Sequence, residues 1–227
     1  MKRVIGRMGR GEERGGAKRE EIRGRILEAA GRLFQEKGYS KTTMRQIAQK
    51  AGLLVGSVYN VFPSKEEVFM EMIDTAYGKA LEQYETYVGP DSGLLEAVAF
   101  PIALELYSVN SSPRAAELLH EAHGSWMITN AMADRTMAWV LDRLGDRDIE
   151  MGPGEARDRV IALLGALGNM ISRRHFTGEG DYRKDLRAAL EVFSALFGIP
   201  VDGIDGVVEG MDRVLRENDI VIGGHRV

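Results

Sequence analysis

Thr43-Met44-Arg45-Gln46-Ile47-Ala48-Gln49-Lys50-Ala51-Gly52-Leu53-Leu54-Val55-Gly56-Ser57-Val58-Tyr59-Asn60-Val61-Phe62-Pro63-Ser64-Lys65-Glu66-Glu67-Val68-Phe69 carries two short helical patterns across a glycine turn, then a proline stop and a further helix start. Thr43 to Gln46 has the form of a capping box, in which the threonine oxygen accepts from the third backbone N–H of a helix and the glutamine reaches back to the cap. A helix is therefore predicted to begin at Met44. Ile47, Ala48 and Ala51 follow as its inward residues, and Gly52 stands where the chain must turn with positive φ. A second helix is predicted from about Leu54 to Asn60. It directs Val58 and Phe62 toward the first and leaves Val55, Gly56, Ser57, Tyr59 and Asn60 facing outward. Gly56 has no side chain, so its backbone can approach a phosphate closely. Two helices joined this way read as a helix-turn-helix.

Upstream, Ile26, Ala29, Ala30, Leu33 and Phe34 recur at the spacing of one amphipathic helical face. Gly38 suits the left-handed residue that ends such a helix, and Tyr39 can then fold back on Phe34. Downstream, Pro63 stops the second helix, and Ser64 with Glu67 forms another capping box. Three helices of a small bundle close before residue 63, and a fourth starts directly.

In order along residues 26 to 73 stand Ile26-Leu27-Glu28-Ala29-Ala30, Leu33-Phe34, Lys37-Gly38-Tyr39, Thr42-Thr43-Met44-Arg45-Gln46-Ile47-Ala48, Ala51-Gly52, and Gly56 through Glu67. This run resembles the N-terminal DNA-binding domain of TetR-family transcriptional regulators. Several motifs at the right spacing are more specific than a helix-turn-helix pattern alone. The resemblance implies an all-α chain, with an N-terminal three-helix helix-turn-helix domain followed by a larger helical effector-binding and dimerisation domain. It also implies a homodimer on a palindromic double-stranded DNA operator, most often as a repressor, released by a small-molecule effector. Thr43, Arg45, Ser57, Tyr59, Asn60 and Lys65 match family positions that touch the operator. Their chemistry agrees: Tyr59 offers a hydroxyl to phosphate, Lys65 lies on the first turn of a helix whose positive end attracts phosphate, and Arg45 can pair with a phosphate or a guanine edge. Leu54 and Val55 depart from the family's usual serine cap and lysine, and Val61 from its usual aromatic. These departures remove a cap worth about 0.5–2 kcal/mol and one phosphate partner. The apolar side chains can instead meet thymine methyl groups.

Charge is split along the chain. Residues 1–65 carry 15 Lys and Arg against 6 Asp and Glu, and residues 66–227 carry 15 against 28. A basic first third is the footprint of a surface that lies on phosphates, although the net charge of −4 hides it. Residues 1–24 interleave basic residues with glycines and four glutamates and are expected to form a basic flexible N-terminal arm. No run of about 18 apolar residues exists to span a membrane, and no signal peptide is recognisable, so a cytoplasmic protein is expected. The absence of cysteine excludes disulfides and thiol catalysis.

Three segments follow: the arm at 1–24, a helix-turn-helix DNA-binding domain at 25–64, and a helical ligand-binding and dimerisation domain at 65–227. Pro and Gly punctuate the last into helices near 65–87, 93–109, 113–123, 125–144, 154–176, 182–198 and 204–217, with breaks such as Val88-Gly89-Pro90 and a kink at Pro101. Leu163, Leu167, Met170 and Ile171 on one helix, and Leu190, Phe193 and Phe197 on the next, form apolar stripes wide enough for a four-helix dimer interface. The alternative is that they fill the core of the single chain. Phe100, Leu104, Tyr107, His123, Trp126, Met127 and Asn130 lie on the central helices where the family builds its cavity, though such residues are also ordinary core. His120 and His123 share a helical face with Glu117 and Glu121 nearby, but with no cysteine and no third histidine close in sequence neither a metal nor a cofactor is expected. Nucleophile elbows, phosphate loops and zinc-protease motifs are missing, so the chain is not read as an enzyme. Two other readings stay open: a DNA-binding architectural protein without effector control, and a helical enzyme using dispersed acidic residues.

Overall fold

The computed structural model describes residues 9–89, 92–144, 151–218, 220–222 and 225–226. The first eight residues of the expected arm and the expected break at Pro90 lie outside them. The described chain is helical apart from an antiparallel ladder that pairs Val221 with Arg226 and Ile222 with His225. Strands of two residues are too short to show an alternating pattern in sequence. The chain divides into two compact units, Met1–Met72 and Ile73–Val227.

The first unit contains α1 (Gly9–Lys37), α2 (Met44–Ala51), α3 (Val55–Tyr59) and the start of α4 (Lys65–Tyr87). The sequence puts a division before Lys65; the units part further on, inside α4, because its first two turns bury Val68 and Phe69. A correction also applies to the arm, since residues 9–24 are helical rather than flexible. Glutamate, lysine and arginine favour helix, and a helix already nucleated at the apolar face of Ile26 extends backward without a second nucleation cost, against the opposing preference of the glycines. Arg23 ties this stretch down, pairing with Glu71 and lying 4.9 Å from the Phe62 ring. Gly38, at φ 89°, donates its N–H to the Phe34 carbonyl at 2.9 Å and ends α1. Tyr39 then folds back as the sequence predicts, and the rings of Phe34, Tyr39 and Phe69 contact one another at 4.6 to 5.4 Å.

Both halves of the Thr43 capping box are present. Gln46 N–H donates to Thr43 Oγ1 at 3.3 Å, and Thr43 N–H donates to Gln46 Oε1 at 2.9 Å. Gly52 closes α2 in the left-handed region, φ 63° and ψ 39°. Thr43→Ala is expected to lower unfolding stability by about 0.5–2 kcal/mol, read as a shift in urea midpoint without a change in slope.

The second unit takes the rest of α4 with α5 (Leu94–Ser111), α6 (Pro113–Gly124), α7 (Trp126–Leu144), α8 (Pro153–Thr177), α9 (Tyr182–Phe197) and α10 (Ile204–Glu217). α5 is the hub, packed against α6, α7, α8, α9 and α10. A helix surrounded in this way must be apolar over most of its surface, and Val98, Ala99, Phe100, Ala103, Leu104, Leu106 and Val109 are all buried. It runs unbroken through Pro101. Ion pairs fasten the outer helices: Arg173 of α8 to Asp185 of α9 at 2.5 Å, and Arg183 of α9 with Arg216 of α10 to Asp212. Burial raises the Asp212 pKa, but its two arginines outweigh that and hold it below the usual carboxylate range.

Most residues of the expected dimer stripes are buried within the single chain. Leu163, Leu167 and Ile171 of α8 and Leu190, Phe193 and Phe197 of α9 are buried within one copy, and only Met170 of that set stays half-buried. α8 packs on α5, α6 and α7, and α9 on α5 and α10, so these faces are already covered.

Candidate functional site

α3 has only five residues, and its N-cap Leu54 makes no side-chain hydrogen bond to it. What fixes it is its underside, where Val58 and, just beyond, Phe62 are buried. The opposite side is open: Val55, Gly56, Tyr59 and Asn60 are exposed and Ser57 half-buried, with Leu54 79% exposed at the leading edge. Thr43 and Arg45 are exposed at the start of α2. The residues singled out in α2 and α3 thus gather on the outside of the helix-turn-helix, with donors, an arginine and apolar contacts available to a groove.

Lys65 has an intramolecular contact of its own. Its ammonium donates to the Tyr39 carbonyl at 2.8 Å and lies 4.0 Å from the Tyr39 ring centre, so it braces the α1–α2 loop. Arg25, which sequence reasoning passed over, has a related task. Its Nη2 donates to the carbonyls of Ala51 at 2.6 Å and Gly52 at 3.2 Å, satisfying the C-terminal end of α2 at the turn. Nothing in the local sequence separates it from the other basic residues of α1; only the fold brings it to the turn.

The second unit holds a mostly apolar cavity of about 80 Å³. Ile73, Ala76, Tyr77 and Ala80 of α4 form one wall at helical spacing, Pro101, Leu104, Glu105 and Ser108 of α5 another, and Leu119 and Met132 complete it. Tyr77 Oη pairs with Thr136 Oγ1 at 2.9 Å; burial, and then the charge of Glu105, push its phenol well above the ordinary value. Glu105 Oε2 lies 3.0 Å from His123 Nε2, whose ring turns Nδ1 to the Leu164 carbonyl at 3.2 Å.

Of the seven residues proposed for the cavity, Leu104 is in its wall and His123 stands directly behind Glu105. Phe100 is fully buried core between Tyr84 and Tyr87, and Tyr107 packs edge-on to Tyr182. Trp126 opens α7 and is 72% exposed. Asn130 bonds the Trp126 carbonyl and Arg157, and Met127 is half-buried outside the wall. The α4 residues were the omission, although Ile73, Ala76, Tyr77 and Ala80 repeat at helical spacing, with alanines small enough to leave room. His120 does not join His123. Its Nδ1 meets Ser172 Oγ at 2.9 Å and its ring stacks on His175 at 4.9 Å; burial and the neighbouring His175 lower its pKa.

Residues 26–72 match the family described as bacterial regulatory proteins, tetR family. Over 74 residues the chain is 39% identical to the HTH-type transcriptional repressor KstR2 of Mycobacterium tuberculosis (strain ATCC 25618 / H37Rv), covering 33% of this chain and 37% of that protein. The chain is therefore aligned over little more than a third of that relative's length. Its fold is similar to that of RolR in complex with resorcinol, at TM-score 0.64 and 16% identity over 87% of this chain and 96% of that one. It is also similar to Thermus thermophilus FadR, a TetR-family transcriptional repressor in complex with lauroyl-CoA, at TM-score 0.61 and 19% identity over 75% and 92%. Residues 26–72 thus carry the domain of the tetR family of bacterial regulatory proteins, and most of the chain's length is similar in fold to these two solved structures.

Proposed function

We propose that the chain is a homodimeric transcriptional repressor that binds a near-palindromic operator through α3 and the start of α2, and releases it when a small molecule enters the α4–α5 cavity. The observation that carries this reading is α3 itself: anchored below by Val58, it turns Val55, Gly56, Ser57, Tyr59 and Asn60 outward in the basic third of the chain. Acting on DNA places the protein in the cytoplasm, and no described helix is long and apolar enough to cross a membrane.

Two copies of α3 must reach successive major grooves, about 34–36 Å apart or a multiple of a helical turn, which calls for a two-fold pair. With their inner faces covered, α8 and α9 offer their outer ones. Ala162, Gly165 and Asn169 are exposed on α8 with Ala166 half-buried, and Glu191 and Ala195 are exposed on α9 with Ala188 and Val192 half-buried. Small side chains there permit close approach of paired helices. Effector control is supported by the cavity, four of whose wall residues lie on the helix that begins at Lys65, and by the small molecules held in RolR and FadR. A ligand acts only if it favours one arrangement of that helix over another.

Selection from a random duplex pool is expected to enrich a two-fold symmetric site. Binding to all duplexes alike, with nothing enriched, would defeat the reading. On the selected site, Arg45→Ala should weaken affinity and reduce the slope of log K against log salt by about 0.9, the signature of one lost phosphate contact.

A further inference from the structure

We propose that the cavity selects a small, neutral, largely apolar molecule no larger than about one ring, bearing a hydroxyl that donates a hydrogen bond to Glu105. This rests on the effector-cavity reading and adds the chemical class of the ligand.

The argument follows from which hydrogen-bonding roles the wall has left. Ser108 directs its only O–H to the Leu104 carbonyl at 2.6 Å, so toward the cavity its oxygen can only accept. Tyr77 is paired with Thr136, where either hydroxyl can donate, so it keeps a single role toward the cavity, that of acceptor or of donor. Glu105 is a carboxyl whose side chain is only 11% exposed, and its partner His123 is 3% exposed. A backbone carbonyl cannot donate, so the bond from Nδ1 to Leu164 requires a hydrogen on Nδ1. The contact from Nε2 to Glu105 then needs a second proton between them, which leaves the pair neutral as a whole while the carboxyl retains another oxygen that can accept. The remaining wall residues, Ile73, Ala76, Ala80, Pro101, Leu104, Leu119 and Met132, are apolar and none is cationic. An anion entering would be desolvated with no counter-charge, and a molecule without a donor would leave Glu105 unsatisfied on that side. Size adds a limit. About 80 Å³ is roughly half the volume of an engineered cavity that accepts benzene, so even one ring enters only with some movement of the walls and nothing larger is expected.

The test titrates the full-length protein with phenol, benzene, benzoate and benzylammonium, following methyl NMR shifts of Ile73, Leu104 and Met132. Phenol is expected to bind at least about tenfold more tightly than each of the other three. Glu105→Gln should shrink the gap between phenol and benzene; if that variant does not fold, the ranking on the unaltered protein decides alone. Equal binding of phenol and benzene, or tighter binding of benzoate or benzylammonium, would overturn the ligand class while leaving the cavity as an effector site. No shift from any of the four would overturn the ligand class together with the cavity reading.

Discussion

Gly165→Leu is expected to give a well-folded protein that sediments as a monomer and binds the selected operator at least about 100-fold more weakly. Gly165 lies on the outer face of α8, and a Cβ built there meets nothing within 4 Å. Leucine in a helix interior is preferred over glycine by roughly 0.5–1 kcal/mol, so the single chain should become slightly more stable. Any loss therefore falls on what two copies do together. Without the pair, each helix-turn-helix binds a half-site alone and the gain from joining them, about 10²–10⁴ in affinity, disappears. Analytical ultracentrifugation beside operator titration checks both halves of the statement. A Gly165→Leu dimer that binds normally would move the subunit contact away from α8.

Gly56→Glu should abolish operator binding just as selectively. Gly56 is exposed on α3, and a side chain there also enters open space. A carboxylate placed against phosphates costs several kcal/mol, which is at least about 100-fold in affinity. Thermal unfolding should stay within roughly 0.5 kcal/mol of the parent, as for surface changes generally. Retained binding in this variant would mean that α3 does not face the groove.

The front unit could be read from its sequence because its determinants are local. Thr43 with Gln46, Gly38 with Tyr39, and the turn at Gly52 act over a few residues, and each took the predicted conformation. The second unit yielded its helices for the same reason, since Ser112, Asp181, Gly178 and Gly198 punctuate them locally. Its surfaces were not readable in that way. Leu163, Leu167 and Ile171 form the same stripe whether they meet a sister helix or α5 and α6, and only the packing decides. Lys65 likewise carries the charge a phosphate contact needs, yet the fold directs it to Tyr39. Cavity walls are harder still, because absence of volume at Ala76 and Ala80 matters as much as the side chains present.

The brevity of α3 has a consequence for how the protein loosens. A five-residue uncapped helix cannot persist in water by itself, so its order is borrowed from Val58 beneath it and Phe62 just after it. Its hydrogen-bonded amides, such as those of Val58 and Asn60, should accordingly exchange with solvent deuterium together with those of the α1 and α2 turns lining the same interior. The reading head and its mount would melt as one foldon, and a cavity opened beneath Val58 would dull sequence discrimination without altering any atom that meets a base.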